Sequence, residues 1–423
     1  MNWKKSYNIL FFFFVLTWVF HQVDARALKL RGYAESRYHY LTGRDLGGLC
    51  DGEVSEQLKS ICNPHLLYIR FRPSAKLSFG RKAKLRVTAN LLTSHLGLEK
   101  ELTKIEDILT IPRIYLDLRT KYIDMRIGKQ AFQWGSALLW SLTIPYNPQN
   151  PTDMMAERPG LWGANFFYAY SDTGGLRFAV LADPQFKSTM EVLRWNHTIK
   201  TTELAISLLR DGVKKRFIVG ADIKGQWGIG MWFEGALYIP YEQEDTDKNT
   251  PEKEISGAFV IGIDYSFPIL EGFYFALQYH YNHSGITDPA KYPFKTTQGL
   301  IEMSKLFQAN KGTDSSGTVA LTMGFLAAHY AMLMSNLKVT EDLTISFMML
   351  ANLIDPSFMS GLSGAFIFWE DFTLTLSTYF LFGPEGSEYN MGRLKGLPMP
   401  NAPKEGILLM PSVMLLASLR YNF

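Results

Sequence analysis

From residue 28 onward, hydrophobic and polar residues alternate singly along much of the chain. In 66–79 (LLYIRFRPSAKLSF), Leu67, Ile69, Phe71, Ala75, Leu77 and Phe79 share one parity, and Tyr68, Arg70, Arg72, Ser74, Lys76 and Ser78 share the other. A strand sends successive side chains to opposite faces, so this segment has one greasy and one charged face. After a turn at Gly80-Arg81-Lys82 the pattern returns in 84–91, where Lys84, Arg86, Thr88 and Asn90 oppose Leu85, Val87, Ala89 and Leu91. It returns again in 113–119 (Arg113, Tyr115, Asp117, Arg119) and in 123–127 (Asp124, Arg126).

About eighteen such segments can be counted; sixteen is the alternative, because 189–197 and 201–210 alternate least. The later spans include 214–223, 226–239, 317–338 and 407–423. Short turns and longer connections follow one another in strict alternation, the long ones falling at 41–65, 95–110, 131–160, 240–255, 284–316 and 383–406. Short periplasmic turns, long outer loops and an even strand number are expected of a closed antiparallel transmembrane β-barrel. The expected fold is therefore all-β, a single barrel domain over 28–423.

Composition agrees with that pattern and removes its rivals. Hydrophobic residues are 47% of 423, aromatics 14%, and the mean hydropathy is −0.04. A multi-helix membrane protein would need several apolar runs of about 18 residues or more, and a disordered chain would lack the aromatics. The net charge of +3 shows no bias towards nucleic acid, and 2 Cys exclude a Cys-based zinc fold or a disulfide scaffold. Residues 1–27 read as a secretory signal peptide: Lys4 and Lys5, an apolar run from Ile9 to Phe20, then Ala25-Arg26-Ala27. In the oxidising compartment this implies, Cys50 and Cys62 are expected to staple the first outer loop.

Aromatic residues gather near strand ends, as in Tyr38 and Tyr40, Phe166 to Tyr168, Phe267, Tyr279 and Tyr281, Trp369, and Phe380 and Phe382. Barrels carry such rings at both membrane interfaces. The chain closes on MPSVMLLASLRYNF, with Tyr421, Leu419, Ala417, Leu415 and Val413 on one parity. A terminal Phe423 on such a strand resembles the signature read by the outer-membrane assembly machinery, an implied partner.

Residues 127–153 (IGKQAFQWGSALLWSLTIPYNPQNPTD) carry a family resemblance. Gly128-Lys129-Gln130, then Trp134-Gly135, then Pro145, Asn147, Pro148 and Asp153, resemble a group of outer-membrane porins of the alginate-export type. Gly220-Ala221-Asp222 and Glu234-Gly235-Ala236 also resemble that group's paired strands. The resemblance implies an outer-membrane barrel whose loop folds towards the pore. The residues themselves say that Pro145, Pro148 and Pro151 prevent a sheet strand and favour a fixed, turning path. Trp134 and Trp140 could anchor such a path, and a constriction loop and an outer cap are both open.

The polar parity of the first five strands holds Lys29, Arg31, Arg37, Arg70, Arg72, Lys76, Lys84, Arg86, Arg113, Arg119 and Arg126 against Glu35, Asp117 and Asp124, an excess of eight cations. A low-dielectric lumen with one such wall concentrates anions. The facing wall is milder, with Asp222, Glu234, Asp264, Gln278 and His280 among its groups. Gly228-x-Gly230 is read as lying inside a strand. His280 and His283 lack nearby carboxylates in sequence, so no metal site is expected, and no cofactor or hydrolase motif is present. Two functions remain. One is a passive porin for small hydrophilic solutes, anionic or sugar-derived ones included. The other is a non-conducting adhesin or structural barrel that binds a partner through its loops.

Overall fold

The computed structural model describes residues 28–42, 65–80, 82–96, 109–132, 134–139, 142, 160–182, 186, 188–241, 254–295, 326–391 and 412–423. The expected signal peptide, both cysteines, Trp140, Pro145, Asn147, Pro148, Pro151 and Asp153 lie outside them. The described residues form one 18-stranded sheet. Its first nine strands are β1 (Leu28–Thr42), β2 (His65–Phe79), β3 (Ala83–Leu96), β4 (Leu109–Arg119), β5 (Ile123–Gln130), β6 (Leu161–Ser171), β7 (Gly174–Ala182), β8 (Thr189–Ile199) and β9 (Thr202–Asp211). The rest are β10 (Arg216–Trp227), β11 (Ile229–Pro240), β12 (Ser256–Phe267), β13 (Gly272–Asn282), β14 (His329–Lys338), β15 (Leu343–Asn352), β16 (Ser357–Phe368), β17 (Phe372–Phe382) and β18 (Val413–Asn422).

Each strand pairs antiparallel with its chain neighbours, and β18 pairs with β1. The sheet therefore has no free edge, which is the condition for crossing hydrocarbon with strands. At the seam, Gly32 N–H donates to the Phe423 carbonyl at 2.8 Å and Phe423 N–H donates to the Gly32 carbonyl at 3.0 Å. The Phe423 ring stacks on Phe71 at 5.3 Å.

Alternation sets the two faces. Phe71, Ile206, Leu208, Leu237, Leu376 and Leu415 are 41–56% exposed on the outer side. An apolar band open to solvent on this scale is the lipid face of a membrane barrel. Aromatic rings border it at the short-turn end (Tyr265, Phe267, Trp369, Phe372, Tyr421) and at the long-loop end (Tyr38, Tyr40, Tyr279, Tyr281, Phe382). Phe167 departs from the expected girdle: it is paired with Arg177 on the inner parity, and its ring lies under that guanidinium at 5.2 Å.

Three boundaries differ from the sequence pattern for identifiable reasons. Gly228 is the turn between β10 and β11, with φ +85°, and Trp227 faces Ile229 across it. A left-handed backbone there needs glycine, so β10 runs to Trp227 and not to 223. Between Thr88↔Arg113 and Asn90↔Thr110, β4 carries one extra residue. This bulge, at Ile111-Pro112, reverses the parity of β4: Leu109 and Ile111 point outward, while Arg113 and Tyr115 do not. Proline, which has no N–H to lose from the ladder, suits a bulge. Finally, β14 begins at His329, because residues 326–328 turn away to bridge Ala327 with Ile286.

The hydrophobic core sits inside the barrel. At the long-loop ends of β7 to β18, inward residues such as Leu181, Met190, Val192, Met332, Leu350, Met359 and Leu381 are buried against segments that fold in from the long loops. Towards the short-turn end the same inner face turns polar, with Ser363 and Ser377 hydroxyls 2.8 Å apart and Tyr274 donating to Asp264 at 3.2 Å.

Candidate solute path through the barrel

The segment after β5 turns into the barrel and crosses to the far wall. Phe132, Trp134, Leu139 and Leu142 are all buried in the lumenal core. The polar anchor is Glu234 on β11, with 0% exposure. Its Oε2 accepts N–H from Ser136 at 2.9 Å and from Ala137 at 3.1 Å, and its Oε1 accepts N–H from Leu142 at 3.0 Å. A carboxylate taken from water is tolerated only when its lone pairs are filled this way. Gln278 Oε1 on β13 accepts from Leu138 N–H at 3.0 Å and from Trp232 Nε1 at 3.1 Å. Gly135, at φ +98°, lies so close that a Cβ there would stand 2.3 Å from Glu234 Oε2.

Asp222 on β10 completes the attachment. It accepts from Ser136 Oγ at 3.4 Å and holds Arg194 in a two-pronged ion pair at 2.7 and 2.9 Å. The pair is closed off, with side chains 7% and 4% exposed. Ser207 Oγ accepts from the same guanidinium at 2.8 Å. Asp222, Glu234 and Gln278 therefore do not line an open wall, as their sequence parity suggested. They are consumed in holding the inserted segment, which covers them.

The charged positions of β1 to β5 have a different environment. Arg31, Arg37, Arg70, Arg72, Lys84, Arg86, Arg113, Asp117, Arg119, Asp124 and Arg126 fall on the face opposite the exposed apolar one. Two of the three acids on this wall are already neutralised. Glu35 pairs with Arg37 at 3.0 Å and with Arg420 at 2.9 Å, and Asp117 pairs with Arg126 at 2.5 Å. Register then sets Lys29 opposite Lys76, and Lys76 opposite Arg86. Tyr115 carries two guanidinium groups over its ring, Arg126 at 4.5 Å and Arg86 at 5.8 Å.

One further cation, Arg177, lies on the inner side beyond those the sequence pattern indicated, next to the Arg194 that Asp222 neutralises. Arg177 and Arg194 are paired across β7 and β8 on the inner side. Arg177 lies over the Trp134 ring at 5.5 Å, so the inserted segment and the basic wall meet there. These two arginines were missed because they sit in single-cation strands with long apolar runs; their parity was the available signal. Beyond Leu142, a pocket of about 360 Å³ lined by Lys214, Arg216, Tyr238, Glu254, His280 and Asn282 opens at the long-loop end. Trp134 is thus the one residue of the expected constriction set whose position is described, and it packs inside the barrel.

No family model matches the chain, and no curated protein matches it. Solved structures share its architecture. OccK11 (OpdR) of Pseudomonas aeruginosa aligns at TM-score 0.52 and 10% identity, over 93% of this chain and 95% of that one. A substituted OccD1 (OprD) aligns at TM-score 0.53 and 9% identity, over 95% and 96%. A mutant Rhodopseudomonas blastica porin aligns at TM-score 0.42 and 8% identity, over 94% and 100%. At this level of identity, the OccK11 and OccD1 alignments show that the closed barrel fold is shared across almost the whole length of both proteins.

Proposed function

We propose that this chain is an outer-membrane channel, a porin that passes small hydrophilic solutes passively and favours anionic and sugar-derived ones. The observation that carries the reading is the one-sided lumen. Lys29, Lys76 and Arg86 stand directly opposite one another on three neighbouring strands, and none has an ion pair among the described residues. Like charges set opposite across a ladder destabilise a sheet, so this row weakens the barrel that carries it. Its return is a positive field beside a low-dielectric wall, which draws anions into the lumen. The inserted segment takes up Asp222 and Glu234 on β10 and β11, so these two acids add little to the field from that wall. Guanidinium forks on the same wall suit carboxylate and phosphate oxygens.

A second reading has an observation of its own: the lumenal core crowds the long-loop end, as it would in a non-conducting barrel. Planar-bilayer recording separates the two. Under a KCl gradient the wild type should conduct with a reversal potential on the chloride side. The triple variant Lys76→Gln, Lys84→Gln, Arg86→Gln should move it towards potassium. A barrel that never conducts would refute the channel, and an unmoved reversal potential would refute the basic wall.

A further inference from the structure

Five neighbouring strands, β16 to β18 and then β1 and β2, border a groove of about 600 Å³ on the lipid-facing side of the barrel. Register places its residues in two rows. One runs Tyr40, Leu415, Thr378, Leu362, and the other runs Tyr38, Ala417, Leu376, Gly364. Ala417 and Gly364 keep the floor of the second row low, and a Cβ at Gly364 would meet nothing within 4 Å. The groove is inclined. One end is His65, the first residue of β2, beside Tyr38 and Tyr40 near the long loops. The other end is Gly364, the eighth of the 12 residues of β16. Four inter-strand spacings of about 4.8 Å separate β2 from β16 and make the groove about 19 Å long. On strands tilted by about 40°, that length descends about 12 Å, most of the roughly 15 Å depth of one hydrocarbon leaflet.

The two ends differ in chemistry. At the long-loop end, Tyr38 Oη and His65 Nδ1 are 2.6 Å apart, and Tyr40 stacks on the imidazole at 4.9 Å. Further in, the walls are Leu362, Leu376, Leu415 and Ala417. Between these zones lies Thr378, whose Oγ1 is buried and has no hydrogen-bond partner among the described residues. A hydroxyl without a partner in an apolar setting is costly, so the groove holds a donor that its own wall does not use. The barrel also carries a comparison. Tyr279-His280-Tyr281 on β13 repeats Tyr38-His39-Tyr40, and Tyr279 Oη lies 2.6 Å from Nδ1 of His329, the first residue of β14. There the adjoining row continues through Ile261 and Phe233, where the first cluster has Ala417 and Leu376. Phe233 and Phe259 stack at 6.2 Å, and Phe259 meets Tyr281 at 5.4 Å. The polar cluster is the same at both places. On β13 and β14 it is flanked by rings, and on β1 and β2 by open space.

We propose that this groove binds one lipid of the outer leaflet, with an acyl chain along Leu415, Ala417, Leu376 and Gly364, its phosphate at Tyr38 and His65, and an ester oxygen at Thr378. Phenol and imidazole groups at a membrane interface suit such oxygens. The groove runs from polar at the rim to apolar at mid-depth, which is the polarity of a lipid in that leaflet. Left empty, its floor would forfeit dispersion contacts that a flexible chain supplies. A second copy of the barrel would present another convex wall, which spans such a groove without filling it. The site goes beyond the channel reading and stands whether or not the lumen conducts.

The test uses the full-length protein in detergent micelles, titrated with dimyristoyl phosphatidylglycerol and read by native mass spectrometry. The wild type should retain one lipid before any others bind. Gly364→Leu and Ala417→Phe, which fill the groove from its floor, should each weaken that retention at least about tenfold, the loss of about two buried methylenes. Thr378→Val should weaken it by less, and His329→Phe, in the twin cluster, should leave it unchanged. Heat-modifiable gel mobility shows that each variant is a folded barrel, and Gly364→Leu has room for its added side chain. Retention that both filled variants share with the wild type would overturn the proposal. An equal loss in His329→Phe would also overturn it, since both clusters would then be general interface anchors. A wild type that runs as an oligomer and becomes monomeric in Gly364→Leu would overturn it in favour of a second copy.

Discussion

Replacing Glu234 with Gln tests whether the inserted segment is held by one carboxylate. The change keeps the shape and removes the charge. In the wild type, three backbone N–H groups converge on Glu234, two on Oε2 and one on Oε1. A hydrogen bond to a charged group nets about 1.5–3 kcal/mol, and a buried donor left without an acceptor costs about 1–3 kcal/mol. Glutamine has one carbonyl oxygen. It can serve the Ser136 and Ala137 pair or serve Leu142, and its NH₂ then faces a donor on the other side. The variant thus loses at least one charged bond and creates at least one donor–donor conflict. Together these weaken docking by about 2.5–6 kcal/mol, or roughly two to four decades in the docking equilibrium. The burial of Phe132, Trp134, Leu139 and Leu142 opposes release, so the lower end is the safer expectation. Hydrogen exchange at the Leu142 and Ser136 amides should accelerate by about 100-fold or more, while strand amides of β11 stay protected. Single channels should become larger and noisier. Unchanged exchange in 134–142 would show that apolar packing alone holds the segment and that the three bonds contribute little.

Other perturbations address separate features. Asp222→Ala leaves Arg194 buried beside Ser207 without its carboxylate, which should cost about 3–5 kcal/mol and lower the temperature at which the folded barrel loses its gel mobility; the double change Arg194→Met, Asp222→Leu should recover most of that loss. Gly135→Val places a branched side chain against Glu234 and should release the segment as Glu234→Gln does, with exchange at 134–142 again the readout. Ile206 is 51% exposed in the middle of β9, so Ile206→Lys should destabilise the barrel by about 2–4 kcal/mol in lipid, measured by urea unfolding from vesicles. Replacing Arg113, Arg119 and Arg126 with Gln should shift the reversal potential towards cations, and no shift would place those side chains away from the solute.

The barrel was legible because lipid imposes a strict rule on every strand. One parity must be apolar, so segments such as 66–79 and 123–127 announce both their conformation and their outer face. The pairings of β8 with β9, where alternation is faintest, come from the same rule: Leu193, Ile206 and Leu208 face outward while Arg194 and Ser207 face in. The inner face was harder to read, since two environments share it. Near the short turns it meets water and carries charge. Near the long loops it meets folded-in chain, so Met332, Met348 and Leu350 look from sequence like residues of a strand buried on both sides. Runs such as AMLM in 331–334 and FMML in 347–350 were the trace of that contact. The role of Glu234 was not legible at all, because its partners are backbone amides 92 to 98 residues away, which no side-chain pattern reports.

The seam between β1 and β18 has a consequence for how the molecule comes to exist. The bond from Arg420 to Glu35 joins residues 385 apart in sequence. Contacts of such span form late, because the loop they close is nearly the whole chain. Until that closure there is no interior, only a curved sheet with a half-apolar, half-cationic concave side. Phe132 and Trp134 have nowhere to dock until the curve becomes a ring. The fittings of the mouth therefore need the closed wall as their docking surface, a space that the last strand completes.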